Sequence, residues 1–118
     1  ITAQPPHREI HKTALGATES VEWKYFENVL KAIEYLKKEN YRIIGIEQSD
    51  ESISLNQFQI SNNAKYALIF GNEVGGISDD AFSMIDECIE IPQSGTKHSL
   101  NVAVSVGVVL WEFYRKLM

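Results

Sequence analysis

Two short stretches of this 118-residue chain concentrate residues that can do chemistry. The first is Phe70-Gly71-Asn72-Glu73-Val74-Gly75-Gly76-Ile77-Ser78, in which glycines surround a single carboxylate. Glycines let backbone amides and carbonyls come close to a ligand and take positive φ without a Cβ clash. The second is Ile91-Pro92-Gln93-Ser94-Gly95-Thr96-Lys97-His98-Ser99-Leu100-Asn101-Val102. It brings a hydroxyl and an amide to the start of an apolar segment, where the partial positive charge of a helix N-terminus would collect. Taken separately, each stretch admits plainer readings. The glycine loop lacks the Lys-Ser/Thr ending of a P-loop and the spacing of a dinucleotide fingerprint, so alone it is a tight turn. Ser99 equally serves as a helix cap, Asn101 as a turn residue, and Lys97-His98 as a surface pair. His7 and His11, four apart, have no obvious third ligand and make a poor metal site.

The elements around these loops follow from hydrophobic spacing. Residues 9–17 suit a short helix ending near Gly16. From Trp23 to Asn40 the pattern is helical: Phe26, Val29, Leu30, Ile33 and Leu36 share a face. On the other face Glu27–Lys31 and Glu34–Lys38 are placed as four-residue charge pairs, and Asn40 is a stop. Tyr41 to Gln48, with Ile43, Ile44 and Ile46, reads as a strand covered on both sides, as in a parallel sheet. Residues 49–63 read as a loop with a turn of helix. Tyr66 to Phe70 is a second buried strand that runs into the glycine loop. Ser78 can cap a helix with Asp79 and Asp80 in its first turn, carrying Ala81, Phe82 and Ile85 inward. Cys88 to Pro92 is a third strand, and Leu100 to Leu117 a final helix. That helix is apolar nearly all round in its first half, so burial on more than one side is expected. Gly107 within it costs about 1 kcal/mol against alanine, which close packing would offset.

Alternating strands and helices give an α/β fold with a parallel sheet flanked by helices. Ligands in such sheets bind beyond the carboxyl ends of the strands, where both loops fall. The length suits one domain, and 44% hydrophobic and 23% charged residues are ordinary for a globular chain. No apolar run is long enough to cross a bilayer. The solitary Cys88 excludes a disulfide framework and a cysteine zinc cluster, reads as a core residue, and points to a reducing, cytoplasmic setting. A net charge of −5 is awkward for a nucleic-acid enzyme.

In combination the two loops are far more specific. Phe-Gly-Asn-Glu-x-x-Gly-Ile-Ser and Ile-Pro-x-x-Gly-x-x-x-Ser-Leu-Asn-Val, in this order and at this separation, resemble the second and third signatures of the SpoU (TrmH-like) RNA 2′-O-methyltransferases. Pro5-Pro6-His7 and Lys12-Thr13-Ala14-Leu15-Gly16-Ala17 resemble the stretch ahead of the helix at Trp23, so the likeness covers nearly the whole chain. Gln93 stands where methionine is common, and Gly75 fills a variable slot.

The resemblance implies a deep C-terminal trefoil knot and a homodimer through the last helix. It also implies S-adenosyl-L-methionine as methyl donor and a structured tRNA or rRNA as partner; the residues themselves lead us to expect no metal and no membrane. By the same resemblance, Gly71, Ile91 and Leu100 match the cofactor-binding positions, and Glu73, Ser99 and Asn101 the active-site positions. The family's first signature, with its asparagine and arginine, is absent. Arg8, Arg42 and Arg115 match no such position. Residues 1–118 therefore read as the C-terminal part of a single SpoU-type domain, and this stretch alone is expected not to methylate RNA. The alternatives are a knotted RNA-binding relative without catalysis and a knotted enzyme that methylates a base.

Overall fold

The computed structural model describes residues 21–72, 75–93 and 101–117; the helix expected at 9–17 and the histidines at 7, 11 and 98 lie outside them. Helix α1 spans Val29–Lys38. It begins six residues later than expected from Trp23. The reason is Asn28, whose extended backbone (φ −150°, ψ 168°) and side-chain acceptance from the Lys31 N–H cap the helix there. Phe26 therefore falls outside the helix and packs on the Tyr35 ring at 5.4 Å. The Glu27–Lys31 ion pair forms at 2.7 Å, but Glu34 and Lys38 make none among the described residues. At the other end Asn40 adopts φ 68° and stops the helix, as its sequence position implies.

Four parallel strands follow: β1 (Tyr41–Ile46), β2 (Ile53–Ser54), β3 (Lys65–Phe70) and β4 (Glu87–Glu90), arranged β2-β4-β1-β3. Strand β2 corrects the reading of residues 49–63 as a loop. It is a two-residue edge, with Ile53 opposite Ile89 and Ser54 opposite Glu90, extended by the Leu55 N–H donating to the Glu90 carbonyl at 2.8 Å. At the head of β4, Asp86 fixes the register with β1. Its carboxylate accepts from the Ile43 N–H and its own N–H donates to the Ile43 carbonyl, both at 2.7 Å.

Side chains of β1 alternate between two cores, as a strand buried on both faces requires. Ile43 packs with Ile33 of α1, with Ile77, and with Ala81 of the short helix α2 (Asp79–Phe82). Phe82 and Ile85 are partly buried there, although Ile85 lies beyond the end of α2. Ile44 and Ile46 face the opposite side, with Leu55, Phe58, Ile89, and Val109 and Phe113 of helix α3 (Val102–Leu117). Phe58, Tyr66 and Phe113 stack ring against ring at 5.3–6.2 Å and close that core. Each fully buried isoleucine contributes about 1.5–3 kcal/mol, so β1 is the strand on which both layers depend.

Helix α3 departs from expectation. Only Val109 and Phe113 are buried, whereas Val104, Val108, Leu110, Trp111, Tyr114 and Leu117 are 40–62% exposed. Among the described residues the helix is therefore covered on one side, and a Cβ on Gly107 would meet nothing within 4 Å. Among the described residues no helix is long and apolar enough to cross a membrane.

Candidate functional site

Strand β3 delivers the chain into the glycine turn. Gly71 lies so close to Gly76 and Ile77 that a Cβ there would overlap their main-chain atoms. Asn72 closes the turn twice: its carbonyl accepts from the Gly76 N–H at 3.0 Å and its Oδ1 from the Gly75 N–H at 2.6 Å. Gly76 takes φ 67°, a conformation that side chains disfavour. Ser78 then caps α2, accepting from the Ala81 N–H as its sequence position implies. Asp79 and Asp80 sit in the first turn, where the helix dipole favours them.

Beside this turn opens a cleft of about 890 Å³. Gly71, Asn72, Gly75, Gly76, Ile77 and Ser78 form one wall; Val29 with its preceding cap and Val102 contribute others. Val102 is the first residue of α3, so the glycine turn and the end of the second signature stretch meet at one opening although they lie far apart in sequence. Asn101 caps α3: its Oδ1 accepts from the Ala103 N–H at 2.8 Å and its carbonyl from the Ser105 N–H at 2.9 Å. The cap that sequence allowed at Ser99 is thus made two residues later.

Of the residues singled out in the sequence, Gly71 lines the cleft. Asn101 immediately precedes the cleft-lining Val102. Ile91 follows β4 and is half-buried against the core that α3 covers, and it is not part of the cleft wall. Glu73, Ser99, Leu100 and Lys97 lie outside the described residues.

One residue at the turn was not singled out. Glu47, just past the end of β1, turns its Oε1 to the Ile77 N–H at 3.1 Å and fills the space above Gly76. The signal for it was positional: it stands at the carboxyl end of a central strand, where ligands of such sheets bind. Next to it Cys88 is buried, donating from Sγ to the Glu47 carbonyl at 3.3 Å and accepting from the Ser49 hydroxyl at 3.7 Å. Burial pushes its thiol pKa above the ordinary value.

The cleft has the size of a small-molecule site, for which about 300–1,000 Å³ is usual. Apolar side chains and loop backbone both line it, as in such sites.

Comparison with known proteins bears on the family and the fold. The chain is 30% identical over 103 residues to a tRNA (guanosine(18)-2'-O)-methyltransferase of Borreliella burgdorferi, covering 87% of this chain and 46% of that protein. It is 33% identical over 106 residues to a 23S rRNA (guanosine-2'-O-)-methyltransferase of Escherichia coli, covering 89% of this chain and 42% of that protein. It thus spans less than half the length of these relatives. Among solved structures, an A. aeolicus TrmH/SpoU tRNA modifying enzyme superposes with a TM-score of 0.79 at 26% identity, covering 90% of this chain and 53% of that one. An AdoMet-bound rRNA methyltransferase from Sinorhizobium meliloti superposes with a TM-score of 0.88, covering all of this chain and 44% of that one; at 21% identity it speaks for the fold alone. The model of the SpoU rRNA Methylase family matches residues 1–111, nearly end to end, and the chain belongs to that family.

Proposed function

We propose that these 118 residues are the C-terminal part of a knotted domain. The whole protein transfers a methyl group from S-adenosyl-L-methionine to a ribose 2′-hydroxyl of tRNA or rRNA. The observation that carries this reading is the meeting of the Gly71–Ser78 turn and the N-terminus of α3 at one cleft beyond the strand ends. The family membership and the activities named for the relatives support it.

In this reading Gly71, Ile91 and Leu100 hold the adenosine portion through their backbone groups. The sulfonium of the bound donor supplies an electrophilic methyl carbon. The protein's own part is to place the ribose oxygen in line with that carbon, which yields much of the rate, and to draw off its proton. Glu73 orients the arginine expected from the first signature, while Ser99 and Asn101 shape the hydroxyl pocket. Capping fixes the Asn101 amide in one rotamer, so its contribution is preorganised. The N-terminus of α3 adds partial positive charge where the oxygen becomes negative. The knot follows if the chain leading into α3 threads the loop near Gly71–Ile77. The uncovered apolar face of α3 is where a second copy would dock, making a homodimer. With a chain charge of −5, the RNA-binding surface comes from the rest of the protein or from surfaces paired across the dimer. The packed free thiol suits a reducing cytoplasm.

The test is methyl transfer from labelled donor to bulk tRNA and rRNA by the full-length protein, with the modified atom mapped. Ribose 2′-O-methylation is expected. Donor binding without transfer to any structured RNA would identify a non-catalytic relative, and a methylated base would replace the ribose assignment.

A further inference from the structure

Among the described residues of the Gly71–Ser78 turn, the Gly75 and Gly76 N–H groups bond within the turn, to Asn72, and a third N–H bonds to the end of a strand remote in sequence. That third bond is the one from the Ile77 N–H to the Glu47 carboxylate. Glu47 is held at both main-chain ends. Its N–H donates to the Ile89 carbonyl at 3.0 Å, prolonging the β1–β4 ladder, and its carbonyl accepts from the buried Cys88 thiol at 3.3 Å. Its side chain therefore leaves from a backbone bonded to the sheet on both sides. Gly76, at φ 67°, has no Cβ, and one placed there would run into Glu47 Oε1. The glycine and the glutamate thus occupy complementary space: the absent side chain of one admits the carboxylate of the other.

We infer that Glu47 is a positioning residue for cofactor binding, locking the Gly76–Ile77 segment against the sheet before the donor arrives. The inference rests on the assignment of this turn as the cofactor loop. It concerns a side chain outside both signature stretches and outside the cleft wall. An acceptor that fixes the loop in advance spares the ligand the entropic cost of ordering it, so the lock acts on cofactor affinity first. The carboxylate touches the loop and not the reacting atoms, so it bears on catalysis only through donor occupancy.

The experiment is titration calorimetry of full-length protein with S-adenosyl-L-methionine, together with steady-state methyl transfer. Glu47→Ala removes the acceptor and is expected to weaken donor binding by about tenfold, the usual consequence of losing one charge-assisted bond. The loss should fall on the donor KM more than on kcat and leave the RNA KM in place. Glu47→Gln keeps an acceptor oxygen and should recover most of the affinity. Amide exchange in the cofactor-free wild-type protein needs no variant: the Ile77 N–H should be protected. Wild-type affinity in Glu47→Ala, equal losses in Ala and Gln, or an Ile77 N–H exchanging at a free-loop rate would each overturn the lock while leaving the methyltransferase reading intact. A wild-type protein that gives no heat with the donor removes the cofactor assignment, and this inference with it.

Discussion

Helices α1 and α3 flank the same sheet on opposite sides, yet they treat solvent differently. α1 buries Ile33 and presents Lys31, Glu34, Lys37 and Lys38 outward. α3 buries Val109 and Phe113 and presents Val104, Val108, Leu110, Trp111, Tyr114 and Leu117 outward. The first is an ordinary amphipathic helix whose charged face is meant for water. The second has an apolar stripe on each side, and the described residues cover one of them. Trp111 and Tyr114 lie against each other at 6.1 Å on the uncovered side, forming a preassembled aromatic ridge of the kind that anchors interfaces.

If α3 has an inner face for folding and an outer face for association, substitutions on the two faces must separate. Phe113→Ala, on the inner face, removes a ring packed on Phe58 and Tyr66 and should cost about 3–5 kcal/mol of stability in denaturant unfolding. Trp111→Ala, on the outer face, should leave monomer stability nearly intact and weaken self-association by about 2 kcal/mol, roughly thirtyfold, in sedimentation equilibrium. Charge reversal at Lys37 on α1 should change neither. Equal destabilisation by the Phe113 and Trp111 changes, or a wild-type protein monomeric at high concentration, would erase the distinction. Gly107→Ala sharpens it. Open space surrounds this glycine within the chain, so alanine should raise helix stability by about 1 kcal/mol. It should also weaken association if a partner backbone comes close there. A gain in stability with unchanged association would show that Gly107 is not at the contact.

The same contrast explains what the sequence disclosed. The inner face of α1, the strands at β1, β3 and β4 and the Ser78 cap were legible because each is encoded in local spacing. The start of α1 was not: Phe26 continues the apolar period, and only the extended backbone of Asn28 interrupts it. Strand β2 escaped because two residues carry no alternation; pairing with β4 makes it a strand. The second side of α3 was legible as an apolar surface, but the residues that cover it are not supplied by the described chain. At the site, glycine positions announced a close backbone approach. The place of Glu47 at a strand end was legible, but its bond was not, because the partner is the Ile77 amide thirty residues away. The Ile91 side chain packs against the core, which leaves its backbone groups as the part of it that its motif position concerns.

The smallest effects come from two asparagines that do the same structural work at the starts of the two helices. Asn28 Oδ1 accepts from the Lys31 N–H at 3.0 Å, and Asn101 Oδ1 from the Ala103 N–H at 2.8 Å. Alanine at either should cost about 1 kcal/mol of stability, measured by thermal unfolding. Aspartate, an equally good cap, should restore it in both. Activity then divides the pair. Asn28→Asp should methylate RNA at nearly the wild-type rate if Asn28 only caps. Asn101→Asp keeps the cap and removes the amide's NH2 donor, adding a negative charge where the ribose oxygen must lose a proton. It should therefore depress kcat at saturating donor by tenfold or more, on the order of one catalytic hydrogen bond. An Asn101→Asp enzyme with unimpaired kcat would make Asn101 a cap and nothing else, and the two helix starts would then be functionally alike.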